Sequence, residues 1–130
     1  MTINLKNIAN YLIILIPVLL ITGPLLSDMS IIIIDFIFIY YLFKDKEYQY
    51  IDNLLFKVLF IYTFYISLRS IFTEEIFFSL KSSFSYFRFV IFIFAVNYFL
   101  NENEELFSYF SKAILITILI LFIDAIFQFI

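Results

Sequence analysis

A chain of 130 residues that is 65% hydrophobic and only 15% charged cannot cover its apolar surface as a soluble domain. With no cysteine it forms no disulfide, iron–sulfur cluster or thiolate site, and with no histidine it lacks the usual general base and the commonest metal ligand. The net charge of −3 is small, and no stretch interleaves basic and aromatic residues as a nucleic-acid binder does. These features leave an all-α integral membrane protein: a helical bundle of about five spans plus a short interfacial helix, with no cofactor or metal expected.

Residues 1–7 form a polar start carrying Lys6. The first span, 8–26, is about 28 Å long as a helix, enough for a bilayer core. Pro17 is placed to kink it, and Gly23-Pro24 to end or bend it. Lys6 ahead of an apolar core also fits a secretory signal peptide, but no small-x-small cleavage site follows, so a retained helix is expected. Ser27, Asp28 and Ser30 read as a tight polar turn before the second span, 29–43. Asp35 falls in the middle of that span. An intramembrane Asp pairs with a cation from another helix, is neutral, or lines a wet cavity; structural pairing is the expectation here. After the polar loop 44–53, the third span, 54–72, carries Lys57 near one end and Arg69 near the other, where snorkelling costs least. Thr73-Glu74-Glu75 resembles a helix start with Thr73 as N-cap. It leads into the interfacial helix at Ile76, Phe77, Phe78 and Leu80.

The stretch 79–100, SLKSSFSYFRFVIFIFAVNYFL, contains the fourth span, 84–100. At helical spacing, Lys81, Ser85, Arg88, Phe92 and Ala95 share one stripe, with Lys81 and Arg88 about 10 Å apart along the axis. Two cations so placed either hold a phosphate or pyrophosphate head group or simply snorkel to the interface. After the acidic NENEEL turn, with Asn101 as the candidate cap, the fifth span runs over 113–130. Asp124 and Gln128, four residues apart, lie on one face and are read as structural intramembrane polar groups, hydrogen-bonded to each other or to another helix. The run is still apolar at Ile130, which leads us to expect the N-terminal part of a longer multi-span protein. Five spans place Lys6, Lys44, Lys46, Lys57 and Lys112 on one side and Arg69, Lys81 and Arg88 on the other, so the positive-inside rule puts the N-terminus in the cytoplasm.

Three pieces in order resemble the O-antigen ligase and O-antigen polymerase family of bacterial membrane glycosyltransferases. They are an opening helix broken by ITGPLLSDMS, then Ser67-Leu68-Arg69-Ser70 followed by the 79–100 stretch, then NENEEL and a helix ending in IDAIFQFI. The resemblance implies a bacterial inner-membrane enzyme acting at the outer face. It would transfer a glycan from undecaprenyl pyrophosphate to a lipid A core sugar or to another lipid-linked glycan. In that reading Arg88 and Lys81, with Arg69 behind them, stabilise the departing pyrophosphate. The family's large outer loop and its histidine have no counterpart here, so no residue of this chain is assigned as catalytic, and any enzymatic activity belongs to a longer parent. A small non-catalytic membrane protein, such as a scaffold or an assembly subunit, is one alternative; a transporter fragment with Asp35, Arg88 and Asp124 along its path is another.

Overall fold

The computed structural model describes residues 4–46 and 48–129, and the described residues are helical almost throughout. Residues 1–3 of the polar start, Glu47 of the 44–53 loop and Ile130 of the fifth span lie outside them. Five helices follow one another: α1 Leu5–Thr22, α2 Pro24–Asp45, α3 Leu54–Ser70, α4 Ile76–Glu102 and α5 Glu104–Phe129, with a 3₁₀ turn at Tyr48–Tyr50 ahead of α3. The all-α membrane architecture read from composition is the one observed. Four of these helices, α1, α2, α4 and α5, are long and apolar enough to cross a membrane. With 17 residues, α3 reaches about 26 Å, just short of a typical hydrocarbon core.

The helix boundaries show how local chemistry divides an almost uniformly apolar chain. Asn4, Asn53 and Asn103 each accept a hydrogen bond from the backbone N–H two residues on, which starts α1, α3 and α5. Asn101, the residue read as a cap, is instead inside α4. The break between α1 and α2 is a single residue. Gly23 adopts φ 135 and ψ 166, a conformation essentially reserved for glycine, and Pro24 follows as the first residue of α2. The expected turn at Ser27, Asp28 and Ser30 is therefore helix. The Ser27 and Ser30 hydroxyls turn back to donate to carbonyls three or four residues earlier, which lets them lie buried inside α2 without leaving the helix.

The beginning of α4 also differs from expectation. The separate interfacial helix at 76–80 is the first part of α4, which continues without interruption to Glu102. Thr73 does not cap it. Its hydroxyl donates to the Ser70 carbonyl at 2.8 Å and lies within hydrogen-bond distance of Ser79 Oγ at 2.9 Å, so it closes the end of α3 and ties the turn to α4. Extended in this way, α4 is about 40 Å long and outreaches a hydrocarbon core of about 30 Å.

The chain divides into two compact units. The first comprises residues 1–34 and 99–130, and in it α1 packs along α5. Ala9, Ile13 and Ile16 form the buried stripe of α1, while Leu106 and Ala113 are buried on α5. Small residues such as Ala9 and Ala113 are what allow helix backbones to approach closely where lipid supplies no hydrophobic drive. The second unit comprises residues 35–98. There α3 and α4 run antiparallel and meet through rings: Phe56 meets Phe94 edge-on at 4.9 Å between centroids, and Phe60 meets Phe87 at 5.3 Å. Tyr98 sits between Phe38 of α2 and Tyr50 of the 3₁₀ turn, at 5.6 and 5.2 Å. These offset and edge-on geometries are the favourable ones for aromatic pairs.

Candidate functional site

Within the second unit, the charges that the sequence places inside spans meet at α4. Its most buried face runs through Ser83, Val90, Phe94 and Tyr98, the i, i+7, i+11, i+15 row of a helix side. The Lys81, Ser85, Arg88, Phe92, Ala95 stripe lies beside that row. It grades from an exposed Lys81 through a half-buried Arg88 to a fully buried Ala95. The spacing expected of the two cations is thus realised on one continuous helix, with Ser85 between them donating its hydroxyl to the Lys81 carbonyl.

Asp35 of α2 is 6% exposed, and its Oδ1 has no hydrogen-bond partner among the described residues. The opposite charge acting on it is Arg88. The structure therefore brings together the acid and the base that the sequence placed in separate spans. The Arg88 guanidinium also lies 5.0 Å from the ring centroid of Phe89, a cation–π distance, so its charge is shared among several neighbours.

At the end of the α3–α4 hairpin, Ser70 and Ser83 are joined by a buried hydrogen bond between their hydroxyls. This contact sets Arg69, in the last turn of α3, at the same end of the hairpin as Lys81. Both are exposed. The intervening turn carries two exposed carboxylates, Glu74 and Glu75, so this end holds both signs of charge. A ligand anion there must compete with Asp35 for Arg88 and tolerate the two glutamates. Sequence reading missed the Ser70–Ser83 clip, because a serine in a helix gives no sign of whether it faces lipid or a neighbour.

The other sequence-derived polar pair lies in the first unit. Gln128 Nε2 donates to Asp124 Oδ2 at 2.8 Å, as i, i+4 spacing allows. Both side chains are exposed, as is every described side chain of α5 from Ile118 to Gln128. Asp124 is thus satisfied within its own helix.

Each unit also carries a cleft. One, of about 520 Å³ and lined mainly by Tyr48, Ile51, Phe56 and Phe60, carries the Asp52–Lys57 ion pair at its edge. The hydrogen bond and charge of Lys57 hold the Asp52 carboxyl below its ordinary value of 3.8. The other, of about 200 Å³, lies between the N-terminal parts of α1 and α5 and is lined by amides and phenols. Comparison of the chain with protein-family models, with curated proteins and with solved structures finds no match.

Proposed function

We propose that this chain is the N-terminal membrane portion of a bacterial inner-membrane glycosyltransferase of the O-antigen ligase or polymerase type, with its N-terminus in the cytoplasm. In this reading α4 presents Lys81 and Arg88 to the pyrophosphate of an undecaprenyl-linked glycan, and Arg69 assists from α3. The acceptor is a lipid A core sugar or a second lipid-linked glycan, and the group that activates its hydroxyl is supplied by a longer parent protein. One observation carries the reading: a cation is held half-buried on a spanning helix, about two turns from an exposed cation on the same stripe. Burying a guanidinium at that depth is costly even with Asp35 nearby, and a dianionic head group adds to the neutralisation.

The test uses the chain reconstituted in bilayers of neutral lipid, with undecaprenyl pyrophosphate and undecaprenol as probes. The pyrophosphate should bind at least tenfold more tightly than the alcohol. Arg88→Ala should remove that difference, since a charge-assisted contact contributes about 1.5–3 kcal/mol, or roughly ten- to hundredfold. Equal binding of the two lipids would overturn the proposal.

A second reading is favoured by the burial of Asp35. Here Arg88 serves only to neutralise Asp35, and the pair is architectural. The two readings separate on Asp35→Asn. Removing a competing carboxylate should strengthen pyrophosphate binding if Arg88 serves the head group, and should simply destabilise the unit if the pair is structural.

A further inference from the structure

The cleft between α1 and α5 has a chemistry unlike anything else in the chain. Its rim is made of three carboxamides, Asn7, Asn10 and Asn103, and two phenols, Tyr11 and Tyr109; Ile14 and Leu106 complete it from below. None of these seven lining residues is charged. Charges stand only at its border: Lys6 and Glu102 are bonded to each other at 2.6 Å, Glu104 and Glu105 are exposed beside Asn103 and Leu106 in sequence, and Lys112 Nζ lies 5.5 Å from the Tyr109 ring centroid. Asn10 Oδ1 is buried and accepts no hydrogen bond among the described residues, and Leu106 beneath is 1% exposed. In a chain so rich in aliphatic and aromatic residues, three amides converging on one cavity, one with an orphaned acceptor, call for a hydrogen-bonding occupant.

The lining selects among occupants. A phosphate or carboxylate needs cations, and an ammonium needs carboxylates; neither is among the residues that line the cleft. Carboxamides each supply donors and an acceptor, which suits hydroxyl groups that both give and take hydrogen bonds. Phenol rings offer flat apolar faces to the C–H side of a ring, and their hydroxyls add further polar contacts. A volume of about 200 Å³ has room for roughly six waters, or for one compact polyol ring in their place.

We propose that this α1–α5 cleft binds an uncharged polyol, the head group of a glycolipid or the same group free in solution. The inference stands on the cleft's own residues and does not rest on the reading of α4 given above.

The experiment uses the whole chain in polyoxyethylene micelles, which carry no sugar, with asparagine side-chain amides followed by NMR. Octyl glucoside, free glucose and an alkyl phosphocholine are titrated in turn. The glucoside should give saturable shifts of the Asn10 amide, unchanged between low and high salt, and the phosphocholine should give none. Free glucose giving the same shifts would assign the site to the polyol alone; shifts from the glucoside only would assign it to a lipid-borne head group. Asn10→Leu, close in shape but unable to hydrogen-bond, should weaken the response at least tenfold. If Asn10→Leu fails to reach the membrane, Asn7→Leu at an exposed position carries the same expectation. No saturable shift with either sugar, an equal response to phosphocholine, or full binding by the leucine variants would each overturn the proposal and leave the cleft to ordered water.

Discussion

At the scale of single residues, the most consequential feature is Asp35. A carboxyl buried within a spanning helix, with one oxygen lacking a hydrogen bond, places heavy demands on its one opposing charge, Arg88. Losing either partner alone should therefore cost more than losing both. Asp35→Asn and Arg88→Gln each should lower the unfolding midpoint in detergent, while the double variant should recover part of the loss, with a coupling of roughly 0.5–3 kcal/mol. Additive losses in that cycle would show that the two side chains do not work as a pair. Asp35 and Arg88 were both visible in the sequence as charges in the wrong solvent. Which cation answers which acid was not, because every neighbouring helix face is apolar and no stripe marks the partner. Asn10 was not visible at all, since an asparagine near a helix start is unremarkable until α5 closes over it.

The elements themselves were legible to the extent that a bilayer imposes length. Hydropathy located α1, α2, α4 and α5, and it also located α3, whose shorter reach became clear only with its ends. The ends were harder to read because they depend on dihedral angles and single hydrogen bonds, to which hydropathy is blind. Asn101 had the right chemistry for a cap, yet the bond at the start of α5 is made by Asn103; Thr73, read as the cap of the following helix, closes the end of α3 instead. Gly23 is the clearest case of an element boundary held by one residue. A β-carbon there would meet nothing within 4 Å, so space is not the constraint; the backbone conformation is. Gly23→Ala should destabilise the chain by about 1–3 kcal/mol, read as a lower midpoint of detergent unfolding with unchanged helix content. A neutral result would mean that the α1–α2 joint relaxes to an ordinary conformation.

On the scale of the whole molecule, the open quantity is how many times the chain crosses the membrane. If the shorter α3 crosses, Tyr48 before it and Glu75 after it face opposite sides; if α3 lies along the surface, they face the same side. The chain contains no cysteine, so a single Tyr48→Cys or Glu75→Cys substitution supplies the sole thiol. The five-span arrangement predicts that an impermeant maleimide added to sealed vesicles labels one position and spares the other. Labelling of both from one side would reduce the spans to four and reverse the side on which Asn103 emerges. Sidedness also bears on biogenesis through the joint at Gly23. One extended residue covers about 3.5 Å, far too little to form a hydrophilic hairpin across a head-group layer. A helix leaving the ribosome as α1 therefore has no slack in which to settle before α2 arrives. The two should enter the bilayer as a pair, and delaying α2 during synthesis should leave α1 waiting with it.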